Sequence, residues 1–395
     1  MFTYATLRGM HRRWPNLLLL LLGVMLAPAV WFAGTAAAPA LLAQDAITRA
    51  QAGWLAAAVQ AGFVGGTLLS ALLSLSDRWP ARRLFLGSAL VAGLGTAAQA
   101  FIEPAGPGAF ALRVLAGAAM AGIYPVGMKL AATWARGDMG LLIGLVVGAL
   151  TLGSAAPHAI PALLGSPDWR VVYLVAGGVA LLGGLCVLPV RPGPLETRRP
   201  PFDPRQVLEI WRDRRLRLAT LGYLGHMWEL YAVWAWVGLF LAAQGAGWPA
   251  GALTALVVGA GAIGCVALGL LADRFNRARM AALAMLASGL CAATIGWAPA
   301  WLVWPLAALW GLTVVADSAQ FSACTALCAR PDYLGTMLTA QTALGFALTV
   351  PAIQLMAWAV PALGWAGAFA LLAPGPFLGA WAMWRLAPRL DAARG

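Results

Sequence analysis

Twelve apolar runs, each long enough to cross a bilayer as a helix, constrain this chain more than any other feature. A spanning helix needs about 20 predominantly apolar residues. Runs bounded by Gly, Pro and Arg clusters occupy residues 15–38, 52–75, 84–101, 109–134, 139–164, 171–188, 218–243, 250–271, 280–297, 301–328, 334–359 and 364–384, and their length and composition predict helices. Only 10% of the residues are charged and 62% are hydrophobic, where soluble domains carry about 25% charged residues. There is too little polar surface to cover a water-soluble globule. A soluble enzyme, a disordered chain and a nucleic-acid binder are excluded, and the lipid bilayer is the expected partner.

The net charge of +12 is a topology signal. The N-terminal segment with Arg8, Arg12 and Arg13, alternate loops and the tail hold 22 of the 26 Lys+Arg and 9 of the 14 acids; the opposite loops hold Arg49 and Arg170 against Asp45, Glu103 and Asp168. By the positive-inside rule both termini are expected in the cytoplasm, which an even number of spans permits. Arg12-Arg13, the first run and Ala36-Ala37-Ala38-Pro39-Ala40 resemble a cleavable signal peptide. The run is too long for a signal core, so it is expected to remain as a span. All five cysteines (Cys186, Cys265, Cys291, Cys324, Cys328) fall in or at the ends of runs, so no disulfide framework is implied.

Residues 189–217 form the longest polar segment and divide the runs six and six. The expected organisation is an N-terminal six-helix bundle (1–188), a cytoplasmic linker (189–217) and a C-terminal six-helix bundle (218–395). Asp203-Pro204 is expected to start a short amphipathic surface helix through Leu208, Ile210 and Trp211. The halves echo each other: Asp77-Arg78 follows the second run and Asp273-Arg274 the eighth.

In these residues the sequence resembles the major facilitator superfamily. The family's inner-loop signature, Gly-x-x-x-Asp-Arg-x-Gly-Arg-Lys/Arg, is matched by Gly269, Asp273, Arg274 and Arg277, with Asn276 in place of the second glycine and the last basic residue delayed to Arg279. The copy at Asp77 and Arg78 is more degraded. Arg113-Val114-Leu115-Ala116-Gly117 is similar to the family's Arg-x-x-x-Gly motif. The resemblance implies an all-α fold of two pseudo-symmetric six-helix bundles. It also implies a conformational latch in which Asp77, Arg78, Asp273 and Arg274 form charge-assisted bonds across the halves when the cytoplasmic side closes.

Four ionisable groups remain inside runs: Arg113 and Lys129 in the fourth, Glu229 in the seventh and Asp317 in the tenth. Each costs about 2.5–3.5 kcal/mol at a helix centre on insertion scales, so they are expected to face one another, water or ligand. In the superfamily the first, fourth, seventh and tenth helices line the central cavity, and all four charges fall on members of that set. At 1.5 Å per residue, Glu229 lies about 17 Å and Asp317 about 24 Å into their runs. Carboxylates at such depth can exchange protons near neutral pH, and His226, three residues before Glu229, shares its helix face. The expected coupling residues are Glu229 and Asp317 with His226 assisting, while a structural role for Glu229 and plain packing for His226 stand beside that reading.

Arg113 is open to two readings, an anionic-substrate or proton-site cation and an arginine that snorkels outward; Lys129 is read as snorkelling. The aromatic seventh run offers Tyr223 and Tyr231 as substrate-wall candidates, whereas Trp236 is assigned to packing. Gly62, Gly65 and Gly66 are expected to permit close helix approach, and His158, between Pro157 and Pro161, to mark a kinked outer end of the fifth run. No nucleophile–base pair, phosphate loop, cofactor motif or metal constellation is evident, so an enzyme is not expected. The reading is a monomeric inner-membrane transporter of a small organic solute working by alternating access, proton-coupled. Its rivals are a uniporter or anion symporter using Arg113, and a non-transporting receptor on the same fold.

Overall fold

The apolar runs are helical apart from a few breaks. The computed structural model describes residues 4–165, 168–195, 202–245 and 249–391. The side chains of Arg8, Arg12 and Asp77, and the whole of Arg198 and Arg199, lie outside the described residues. In chain order the helices are α1 (Tyr4–Leu26), α2 (Ala29–Ala43), α3 (Arg49–Leu72), α4 (Leu75–Arg78), α5 (Ala81–Ala98), α6 (Pro107–Met120), α7 (Tyr124–Ala132), α8 (Met139–Leu164), α9 (Trp169–Val187), α10 (Glu209–Arg212), α11 (Arg214–Ala243), α12 (Ala250–Arg274), α13 (Arg277–Thr294), α14 (Ala300–Thr313), α15 (Ser318–Cys328), α16 (Leu334–Ala370) and α17 (Pro374–Asp391). There is no strand among the described residues.

Ten stretches among the described residues are long and apolar enough to cross a membrane. One of them, Leu334–Asp391, has 58 residues, far more than the roughly 20 a single crossing needs. It kinks at Gly364, whose φ of 67° and ψ of 178° are accessible essentially to glycine alone. The seventh run is the 30-residue α11, which carries His226 and Glu229 and is not among the ten.

Polar caps set several helix starts. Thr48 and Gln51 form a reciprocal capping box at α3, and Asp213 accepts from the N–H groups of Arg215 and Leu216 at α11. Asp213 also changes the linker: instead of one amphipathic helix, residues Pro204–Leu208 form a 3-10 turn and α10 adds four residues. Asp213 ends the run by starting α11 afresh. Asp203 does cap as expected, accepting from Arg205 N–H at 3.0 Å, and its own N–H donates to Thr336 Oγ1 of α16 at 3.1 Å.

Four runs read as continuous spans are broken in the structure. The first breaks at Ala27-Pro28, the fourth at 121–123, the tenth at 314–317 and the twelfth at 371–373. Pro28 has no N–H to give a helix ladder, and Pro125 and Pro374 sit at helix starts where that loss is tolerated. The break before Ser318 has no proline; it carries Val314, Val315 and Asp317. The fifth run runs unbroken through Pro157 and Pro161 as α8, so His158 is a buried residue within a helix.

Long side-by-side contacts join early to late helices, α8 along α12 and α3 along α16. Small residues allow them: a Cβ on Gly144 would stand 2.9 Å from the Cys265 carbonyl oxygen. Gly62 and Gly66 of α3 similarly face the Val114 and Ala118 carbonyls of α6, at 2.0 and 2.3 Å from where a Cβ would be. Gly65 differs from expectation, since nothing lies within 4 Å of its missing Cβ. It is one residue off the face that α3 turns to α6.

Candidate functional site

The buried charges of the last six runs form two separate polar clusters. Asp317 closes the broken turn between α14 and α15, which puts its carboxylate beside α11. His226 Nδ1 lies 3.0 Å from Asp317 Oδ1, both side chains being 2% exposed. His226 Nε2 lies 2.7 Å from Ser318 Oγ. With Nδ1 facing a carboxylate, the proton is assigned to Nδ1 and Nε2 accepts from the Ser318 hydroxyl. The Nδ1 contact is off the hydrogen-bond axis, so no donor is aligned on Asp317 Oδ1. Tyr223 and Phe321 flank the imidazole, with ring centroids 6.3 and 5.1 Å away.

Glu229 belongs to a different cluster. Its Oε2 accepts from Ser288 Oγ of α13 at 2.6 Å and its Oε1 from Trp310 Nε1 of α14 at 2.7 Å. The expected His226–Glu229 relay is therefore not what the packing forms: three residues along one helix bring the two side chains to one face, but each is taken up by a different neighbouring helix. Ser288, Trp310 and Ser318 were missed in the sequence, where an isolated Ser or Trp in an apolar run carries no distinguishing signal.

Arg113 is completely buried, which rules out snorkelling. Its Nη2 donates to the Val30 carbonyl at 2.6 Å, just after the break in the first run, and its guanidinium stands 6.0 Å from the Tyr173 ring centroid. Nε and Nη1 have no hydrogen-bond partner among the described residues. Lys129 Nζ donates to the Ser76 carbonyl at 3.0 Å, at the end of the bundle where most arginines lie, here termed the basic end.

A cleft of about 380 Å³ opens between the early and late helices at the basic end. Tyr124, Lys129, Arg277, Gln320, Ser322, Thr67, Thr339 and Thr342 supply its polar groups, and no carboxylate lines it among the described residues. Glu229, Asp317, His226 and Arg113 do not line it either, but Ser318 is followed directly by Ala319 and Gln320, which do. One turn beyond Thr67 and Thr342, the rings of Phe63 and Phe346 meet at 4.2 Å. Trp31, Phe32, Tyr231 and Trp234 complete this aromatic layer, so Tyr231 belongs to the seal of the cleft. Trp236 is buried and donates to the Ile353 carbonyl at 3.2 Å, as a packing residue does.

The family model described as Major Facilitator Superfamily matches residues 20–352. The chain belongs to the major facilitator superfamily. It is accordingly a multi-pass membrane protein and a secondary transporter of a small solute. Among solved structures it is similar to the superfamily's proton:xylose symporter XylE bound to 6-bromo-6-deoxy-D-glucose, with a TM-score of 0.72 at 14% identity, covering 96% of this chain and 97% of that one. That likeness is one of fold. No curated protein matches the chain.

With the cleft open, the signature after the eighth run makes no ion pair across the halves among the described residues. Asp273 pairs with Arg277 of its own loop at 2.5 Å, four residues on, and Arg277 Nη1 reaches Gln320 Oε1 at 3.3 Å. What crosses between the halves is packing: the Asp273 carboxylate sits over Gly140 in the first turn of α8, only 2.2 Å from where a Cβ would be, where the helix's free N–H groups favour a negative charge. Gly269 lets α12 approach the same turn, a Cβ there lying 3.0 Å from the Gly140 carbonyl. Arg78 and Arg274 are exposed. Asn276, standing where the superfamily has glycine, caps α13 by accepting from Ala278 and Arg279 N–H and donates to Asp391 Oδ1 at 2.6 Å. The displaced Arg279 pairs with the same Asp391 at 3.1 Å.

Asp138, at the start of α8, pairs with Arg13. Partial burial pushes the Asp138 carboxyl upward, but hydrogen bonds from Arg136 N–H and Arg13, together with the Arg13 charge, outweigh it and hold the group below its ordinary value.

Proposed function

We propose that this superfamily member is a proton-coupled transporter of a small organic solute in a bacterial-type inner membrane. In this reading it acts as a monomer, with twelve spans in bundles 1–188 and 218–395 and both termini cytoplasmic. The observation that carries the coupling is the chain from half-buried Ser318 to buried His226 and Asp317, whose outer member adjoins the cleft lining. A proton reaching Ser318 from the cleft is passed to His226 Nε2 as the hydroxyl takes a replacement, and the Nδ1 proton moves to Asp317 Oδ1 once a small turn of the imidazole aligns the 3.0 Å contact. Asp317 becomes neutral and His226 ends neutral with its proton on Nε2. Removing a buried charge lowers the cost of moving that site out of contact with water, which is how protonation biases alternating access. The fold likeness to a proton:xylose symporter supports the same direction.

Glu229 is the second candidate acid, and Tyr223 and Tyr231 are candidate walls of the solute path. The testing experiment is a ligand screen on purified protein followed by proteoliposome flux with and without an imposed pH gradient. Asp317→Asn is expected to abolish gradient-driven accumulation while solute exchange persists. If Asp317→Asn and Glu229→Gln both accumulate solute fully, the coupling role is wrong.

A second reading has an observation of its own. Arg113 is a buried cation with two donor nitrogens unpartnered, which suits an anionic solute group and an anion symporter with structural acids. Arg113→Lys keeps the charge but loses the planar fork, so a drop in affinity confined to anionic solutes supports this reading.

A further inference from the structure

A second crevice, of about 420 Å³, lies on the outer face between α5 and α6. Arg83 and Trp79 stand at its mouth; Leu84, Gly87, Val91 and Leu115 form its walls. Trp79, Val91 and Leu115 are 58%, 43% and 45% exposed, on a chain that sits in a membrane, so lipid is the medium that meets them. From Arg83 to Val91 the crevice follows α5 for about 12 Å at 1.5 Å per residue. It owes its depth to Gly87, whose missing Cβ faces open space with nothing within 4 Å.

The charge at the mouth is of one sign. Arg78, Arg82 and Arg83 are all exposed, and among the described residues none of the three joins an ion pair. A Trp at the level of the cationic heads fits the membrane interface, where indole rings concentrate. We propose that this crevice binds one anionic phospholipid, its phosphate held by Arg83 and one acyl chain lying over Gly87. The apolar walls by themselves would accept any tail; the arginines select an anionic head, each basic residue near a surface favouring anionic lipid about fivefold.

The test is native mass spectrometry of the full chain after equilibration in vesicles of equal phosphatidylglycerol and phosphatidylethanolamine. The wild-type protein is expected to retain one phosphatidylglycerol in preference to phosphatidylethanolamine. Arg83→Gln should reduce that preference about fivefold, and Gly87→Leu, which fills the crevice without striking a neighbour and raises helix propensity, should remove the bound lipid of either kind. Both variants should unfold within a few degrees of the wild type in lipid-free detergent, which separates loss of lipid from loss of fold. Equal retention of the two lipids by the wild type, or undiminished retention by Gly87→Leu, would overturn the proposal.

Discussion

At the scale of single residues, the two buried acids of the last six runs are stabilised in different ways, and substitution should separate them. Glu229 is held by two neutral donors, so Ser288→Ala strands Oε2 without removing a charge partner. Hydrogen bonds between membrane helices contribute less than the cost of a stranded group in water-soluble cores, and a loss of about 1–2 kcal/mol is expected, read as a lower unfolding temperature in detergent with exchange activity retained. Asp317 is held by a titratable partner, so His226→Gln should change the pH profile of transport as well as stability. Asp138 acts on stability at acid pH instead. Its native pKa is depressed, so its stabilisation is full above the unfolded carboxylate value and is lost only as pH falls through the lower native one. The run that carries Glu229 was legible from the apolar pattern, whereas Asp317, read as lying within a continuous span, stands in the break before α15. Their partners were not legible, because which way a side chain points around a helix depends on which helices pack beside it, and Ser288, Trp310 and Ser318 come from elements far away in sequence.

Elements were legible wherever composition changes sharply. Caps such as Asp213 and the glycine at 364 mark boundaries by identifiable chemistry, and the run starting at 364 coincides with the kink. Gly364→Ala should cost about 1–3 kcal/mol, since the backbone there is held in a region that a Cβ disfavours, and its unfolding temperature should fall accordingly. Asn276→Ala should cost about 1 kcal/mol through the lost α13 cap, whereas Asn276→Gly, which restores the superfamily residue, should cost less at the cap but still lose the tie to Asp391. The mid-span breaks escaped the sequence reading because a hydropathy pattern reports burial of a run and says nothing of whether its ladder is continuous. Pro28 was visible, but prolines at 157 and 161 lie within an unbroken α8, so proline alone does not decide the matter.

In the whole molecule three layers meet: a basic-end cleft, an aromatic layer beyond it, and the Ser318–His226–Asp317 cluster behind the cleft wall. In the proposed reading, the Asp273 carboxylate over the first turn of α8 holds the two halves together at the basic end. Gly140→Val puts a side chain where that carboxylate lies and should hold the basic end open. On a background with the native cysteines replaced, a cysteine at Ser322 in the cleft should then react faster with a water-soluble maleimide, whereas an unchanged rate would show that the contact is no latch. The all-helical membrane fold followed from the apolar runs and the superfamily motifs, yet the cleft did not, because it is formed by residues such as Thr67 and Gln320 that only tertiary packing brings together. The central claim is that proton movement through Ser318, His226 and Asp317 accompanies solute movement. The most direct measurement is the pH change in weakly buffered proteoliposomes when a solute found by screening is added to one side: the wild type should show a proton flux in step with solute uptake and Asp317→Asn none. A full-sized proton signal in Asp317→Asn, or solute uptake by the wild type with no pH change, would contradict it.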